Sequence, residues 1–204
     1  MAAIATLAVA STVHAVDHPA SKTNPKIEAG KYSLDAAHTK VGFEIDHLVI
    51  SSVEGRFDKF SGAIDMDKKI DETKFDTTID VNSISTGNVD RDTHLKSPDF
   101  FDAAKYPTIT FKSKKVSGTA DNLKISGDLT IKGVTKPVVL EGKYTGVVND
   151  PFGFTRVAFN ASTKISRKDF GLTWSKTVEA GPVVGDEVTI SLKIEGAKPV
   201  VAKK

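Results

Sequence analysis

Between residues 31 and 195 apolar and polar side chains alternate one by one, in run after run, and no other feature of this chain constrains its fold as much. Val41, Phe43, Ile45, His47 and Val49 share one parity, with Lys40, Glu44 and Asp46 on the other. Phe75, Ile79 and Val81 alternate with Lys74, Asp76, Thr78 and Asp80, and Ile109 and Phe111 with Thr108, Thr110 and Lys112. The same beat runs through Ile125, Leu129 and Ile131, then Leu140 and Tyr144, then Phe159, Ala161 and Ile165, and last Val188, Ile190, Leu192 and Ile194. A period of two belongs to the β-strand, whose successive side chains point to opposite faces; a helix would repeat about every 3.6 residues. With one more strand over 56–65, the runs predict about eight strands. Turn sequences such as Lys132-Gly133-Val134-Thr135 and Asn149-Asp150-Pro151-Phe152-Gly153 separate them.

Strands that are wet on one face and apolar on the other assemble as antiparallel sheet. Burying all the apolar faces together requires a sandwich or a closed barrel. A barrel of about eight strands is just wide enough to be filled by side chains or to hold one small ligand. The 204 residues suit a single domain with one substantial core.

Composition removes several kinds of chemistry. The chain has no cysteine, which excludes thiolate catalysis, thiolate-bound metals and disulfides. The formal charge is +2 and both signs are interspersed, so a nucleic-acid partner is not expected. Residues 1–15, MAAIATLAVASTVHA, carry no charged side chain and end in small residues, with Val13 and Ala15 placed as before a signal-peptidase cut. That run is too short to cross a bilayer, so the expectation is an exported protein with a leader at 1–15 and no transmembrane segment. Residues 16–30 then read as a linker and 197–204 as a flexible tail.

The alternation breaks at NVDRDTHLKSPDFFDAAKYPTITF, residues 88–111. Asn88 is placed to cap a short helix through Leu95, and Ser97-Pro98 to open another turn. The stretch therefore reads as a helical insertion, around 88–104, between two strands. Asp90, Asp92 and His94 occupy the first, third and fifth places of a calcium loop, but the sixth is Leu95 where glycine is needed and the twelfth Phe101 where glutamate is needed. Nothing in the spacing of His38, His47 and His94 requires a zinc ion, and no metal site is expected. Arg91 reads as a rim ion pair with Asp90 or Asp92, and Arg167-Lys168-Asp169 as a solvated turn with local pairing. No nucleophile elbow, phosphate-binding glycine loop or His-Glu-x-x-His helix is present.

Several stretches resemble the YceI-like family of lipocalin-like proteins. They are Asp90-Arg91-Asp92-Thr93-His94-Leu95-Lys96-Ser97-Pro98-Asp99-Phe100-Phe101 with the following Lys105-Tyr106-Pro107, and Asp35-Ala36-Ala37-His38-Thr39-Lys40-Val41-Gly42-Phe43 with His47. Gly127-Asp128-Leu129-Thr130-Ile131-Lys132-Gly133-Val134-Thr135-Lys136-Pro137-Val138, Lys168-Asp169-Phe170-Gly171 and Gly185-Asp186-Glu187-Val188 continue the likeness in order along the chain. The resemblance implies an all-β fold, an eight-stranded antiparallel lipocalin-like barrel over 31–196. It also implies a periplasmic location, and a long polyisoprenoid or other amphiphile held inside without catalysis or cofactor.

The expected wall of such a tunnel is Val41, Phe43, Ile45, Phe57, Ile79, Val81, Phe111, Ile125, Leu129, Leu140, Tyr144, Phe159, Ile190 and Leu192. Leu95, Phe100, Phe101, Tyr106, Phe170 and Trp174 are expected at its mouth or floor, with His47 as a polar ring facing the ligand. The expected function is non-enzymatic binding, storage or transport of a polyprenyl or quinone lipid. The competing expectations are a solid structural or stress-response barrel, and an enzyme using His47 or His94 as general base. A homodimer through a sheet face or edge is compatible with each.

Overall fold

The computed structural model describes residues 26–178 and 181–200. The leader expected at 1–15, most of the linker and residues 201–204 lie outside the described residues. The alternating runs form eight long strands. The first, β1, comprises Gly30–Leu34 and Lys40–His47; β2 comprises Ser51–Phe57 and Phe60–Met66; β3 comprises Lys74–Asp80 and Ile84–Ser85. The others are β4 (Thr108–Thr119), β5 (Asn122–Ile131), β6 (Val134–Asn149), β7 (Phe154–Ser166) and β8 (Val184–Pro199). Each pairs antiparallel with the next, and β8 returns to β1 through Val41↔Leu192, Leu34↔Gly196 and neighbouring pairs. The result is a closed eight-stranded antiparallel barrel with one short helix. The beat is plainest in β5, where Leu123, Ile125, Leu129 and Ile131 are buried and Lys124, Ser126, Asp128 and Thr130 between them are not.

Three strands bend, each at a place where a side chain replaces a ladder bond. In β1 the break falls at 35–39, where an Asp35 carboxylate oxygen accepts from Ala37 N–H and the Thr39 hydroxyl donates to the Glu195 carbonyl. The backbone N–H of Glu195 donates in turn to Thr39 Oγ1, so both halves of β1 stay on β8. In β3 the bend is a 3-10 turn, Val81–Ser83, capped by Asp80. The bend in β2 at 58–59 follows it, since Asp58 N–H donates to the Ser83 carbonyl and Lys59 N–H to the Ser83 hydroxyl. Bends of this kind let a sheet curl closed without losing backbone hydrogen bonds.

The two ends of the barrel differ. At one, the floor, Tyr32, Met66, Leu123, Tyr144 and Val157 are buried across the axis. Residues 26–29 lie beneath them: Tyr32 Oη donates to the Glu28 carbonyl at 2.8 Å, and Tyr144 Oη to that of Lys26 at 2.9 Å. The end of the expected linker is thus docked on the floor, and the first residues of the expected tail, Ala197 to Pro199, belong to β8. Burial raises the pKa of both tyrosine hydroxyls above the usual value, which keeps them neutral donors.

The other end, the mouth, carries the longer connections. The helix α1 (Val89–Lys96) bridges β3 and β4, its N-terminus capped by Asn88, whose side-chain oxygen accepts from Arg91 N–H. Ser97 closes the helix and, as expected, Ser97-Pro98 opens a further turn, over 97–106, in which the Ser97 carbonyl accepts from the N–H groups of Phe100 and Asp102. Between β7 and β8 stand a 3-10 turn, Arg167–Phe170, and a two-stranded hairpin of Thr177–Val178 with Gly181–Pro182. Among the described residues no helix is long and apolar enough to cross a membrane.

Candidate functional site: an apolar cavity inside the barrel

The inward parity of the strands surrounds a cavity of about 370 Å³, within the range of small-molecule sites. Val41, Phe43, Ile45, Phe57, Ile79, Phe111, Ile125, Leu129, Leu140, Phe159, Ile190 and Leu192 line its wall, as their alternation requires. Leu95, Phe100, Phe101, Phe170 and Trp174 line it from the mouth, together with His47. Phe75, Ile109, Ile165, Val188 and Ile194 complete the wall; they share the inward parity and were legible by it. Leu34, Val53, Ala63, Val183 and Val184 add to it from positions where the alternation is weak.

Two expected wall residues do not reach the cavity, and neither does Tyr106, whose ring lies against Gly133 of the β5–β6 turn. Val81 is buried, but it opens the 3-10 turn of β3, which rotates it off the inward row that Ile79 occupies. Tyr144 lies one layer too low. Its ring packs at a tilt against Phe159, with centroids 5.0 Å apart, and its hydroxyl is held by the Lys26 carbonyl, so it supports the floor beneath the cavity.

Aromatic rings close much of the mouth. His94, Phe100 and Trp174 form a triangle with centroids 5.0, 5.0 and 5.1 Å apart, and Phe101 meets Phe57 edge-on at 6.0 Å. The position of Trp174, open from sequence, is both lining and lid. His94 is oriented by Asp99, with Nε2 and Oδ2 2.8 Å apart. Asp92 accepts from the N–H and hydroxyl of Thr86 at 2.9 and 2.6 Å, which ties α1 to the end of β3.

Two arginines sit differently from expectation. Arg91 makes no ion pair with Asp90 or Asp92, because adjacent residues on a helix do not face each other. Its Nε donates to Thr86 Oγ1 at 2.7 Å and Nη2 to the Thr86 carbonyl at 2.8 Å. Arg167 is no solvated turn residue; it is 4% exposed. Its Nη1 donates to the carbonyls of Leu172 and Trp174 at 2.6 and 2.8 Å, and Nε to that of Gly185 at 2.7 Å. Burial pushes its pKa down from the usual value, opposed by Asp186. The 3-10 turn swings the side chain inward, and three carbonyls that the strand ladder cannot satisfy replace its water. Arg167 thereby holds the segment carrying Trp174 against the mouth.

The three histidines considered for zinc do not meet. His47 and His94 line the mouth, whereas His38 lies in the bend of β1. There Asp35, His38 and Glu195 bring ligand-type atoms within 4.8 Å, the one such group among the described residues. Arg156 already occupies it, with Nη1 bonded to Asp35 at 2.5 Å and Glu195 at 2.6 Å, and Nε to Asp150 at 2.5 Å. The hydrogen bond from His38, followed by that from Arg156, lowers the Asp35 carboxyl to about 2. This cluster is a clasp across β1, β7 and β8.

A closed up-and-down barrel with a hydrocarbon-lined interior, one sealed floor and one aromatic mouth defines a lipocalin-like ligand-binding architecture. The YceI-like domain model matches residues 32–196, and the chain belongs to that family. It is 40% identical over 173 residues to Protein YceI of Salmonella newport, covering 83% of this chain and 88% of that one. Among solved structures it is similar to the YCEI protein of Campylobacter jejuni, with a TM-score of 0.65, 39% identity and coverage of 82% and 97%. A polyisoprenoid binding domain from Saccharophagus degradans shares the fold at a TM-score of 0.62 and 19% identity, covering 84% and 100%.

Proposed function

We propose that this protein binds and carries a long-chain isoprenoid lipid, of polyprenyl or quinone type, with its hydrocarbon in the barrel. The observation that carries the reading is the cavity, whose wall is almost entirely aliphatic and aromatic. Each CH2 that leaves water for such a surface gains about 0.8 kcal/mol, so affinity needs no reactive group. The polyisoprenoid binding domain that shares the fold supports the ligand class. Apart from Thr77 on the wall, the polar lining groups, which include Asp46 and Arg167, lie toward the mouth, where His47, Thr86, Arg91 and His94 would meet a headgroup. The role is non-enzymatic, and residues 1–15 would direct the protein to the periplasm.

Native mass spectrometry of protein purified from its own cells tests the reading. A bound species with an isoprenoid mass is expected, and it should be lost when Phe43, Leu129 and Ile190 are enlarged to fill the cavity. Recovery of lipid-free protein alone, in gentle detergent-free preparations, would favour a structural barrel. A turnover that vanishes on replacing His47 or His94 would favour an enzyme.

A further inference from the structure

The turn between β1 and β2 is unlike the other connections. From Leu48 to Val53 it reads Leu-Val-Ile-Ser-Ser-Val, with no charged side chain. Val49 is 63% and Ile50 84% exposed, and Val178 of the neighbouring hairpin is 44% exposed. Leu48 and Val49 have φ of 53° and 66°, left-handed values that a branched residue such as valine rarely adopts. The turn is fixed in place: Leu48 N–H donates to the Val183 carbonyl at 3.0 Å, and Val183 N–H to that of Lys176 at 2.9 Å. His47, Val53, Val183 and Val184, which flank these tips, line the cavity. The exposed apolar tips therefore continue the apolar interior outward past the rim.

We propose that these two tips, Val49-Ile50 on the β1–β2 turn and Val178 on the adjacent hairpin, form a docking surface that inserts into the face of a lipid bilayer and brings the cavity mouth against it. The inference rests on the carrier reading, since a cargo that resides in membranes must pass between bilayer and barrel. Isolated exposed apolar residues are ordinary on protein surfaces; a rigid cluster of them continuous with an apolar cavity is not. A bilayer is favoured as occupant because residues 48–53 carry no charged side chain for a protein partner, the charges of the hairpin, Lys176 and Glu179, lying outside that stretch, and lipid insertion requires none. The opposite end of the barrel supplies an internal control. Phe152 is 80% exposed on the β6–β7 turn and is equally apolar, but it stands on the sealed floor.

Because the chain lacks cysteine, single labelling sites can be placed at will. Ile50→Cys and Phe152→Cys, each carrying an environment-sensitive fluorophore, are mixed with vesicles of phosphatidylethanolamine and phosphatidylglycerol. A blue shift at position 50 with none at 152 is expected. The pair Val49→Ser/Ile50→Ser should lower vesicle partitioning by about tenfold or more, while retention of decaprenyl phosphate delivered in detergent stays unchanged. No shift at 50, or an equal shift at 152, overturns the proposal. So does a shift at 50 that grows with protein concentration and needs no vesicles, since the occupant would then be a second copy. Vesicle insertion without retention of any prenyl lipid would refute the carrier reading and leave the docking surface standing. Retention without insertion would do the reverse.

Discussion

A buried guanidinium is costly unless its donors are met, and Arg167 meets three backbone carbonyls from two segments that no strand pairing reaches. Arg167→Met would keep the volume and leave those carbonyls without partners. We expect a loss of about 3–5 kcal/mol in urea unfolding, accompanied by a red shift of the single tryptophan, because Trp174 is held through its own carbonyl. A loss under about 1 kcal/mol would mean that water replaces the side chain freely. Asp35 makes a prediction about pH. Its carboxyl is lowered to about 2 in the fold from an ordinary value of about 3.9. A depressed carboxylate stabilises the fold above the ordinary value, and that contribution disappears as pH falls from about 4 to about 2. Asp35→Asn should remove this segment of the acid dependence, on the order of 1–2 kcal/mol, when unfolding is followed across that window. An unchanged acid limb would show that Glu195 and Asp150 carry the clasp without it.

The strands owe their hollow interior to small residues as much as to large ones. Gly55 of β2 lies directly opposite Phe43 of β1, and a Cβ there would stand only 2.2 Å from the Phe43 ring. Gly127 of β5 is overlain in the same way by Phe111. The rings can lie flat along the wall because those positions have no side chain. Gly55→Ala should tilt Phe43 into the cavity, cost about 1–3 kcal/mol and reduce lipid capacity, with Phe43→Leu restoring both in the double variant. Additive effects in that cycle would show that the two residues do not interact. Alternation made the elements legible, since parity alone assigns inner and outer faces across β5, β7 and β8, and across β4 as far as the bulge at 113–115, beyond which the buried Val116 has the opposite parity. It failed where the backbone leaves the strand repeat. A 3-10 turn carries Val81 off the inward row, the charges at 167–169 read as solvated although Arg167 is buried, and Tyr144 has the right parity at the wrong height. Height along the axis depends on register and on residues 26–29 sealing the floor, neither of which a period of two can express.

The molecule as a whole sets a specific interior against the ordinary tendency of cores to pack solid. Its floor is filled by tyrosine, methionine and leucine side chains, while the layer above is lined and not filled. Hydrocarbon occupying such a volume makes the dispersion contacts that neighbouring side chains make in a packed core, a gain of about 24 cal/mol for each Å³ in buried sites. Applied to about 370 Å³, this allows several kcal/mol of stabilisation, comparable to the whole net stability of a typical domain. Any ligand that binds the folded state and not the unfolded chain raises stability by mass action. Loading delipidated protein with a prenyl lipid should therefore raise Tm by about 5 °C or more, since about 1 kcal/mol shifts a chain of this size by roughly 2–4 °C. The rise should scale with the number of isoprene units until the cavity is full and then level off, because units beyond the mouth return to solvent. A headgroup alone, such as an unprenylated benzoquinone, should give little of it. Differential scanning calorimetry across a series of chain lengths distinguishes this from a barrel stabilised by its headgroup contacts, for which the Tm would not depend on length.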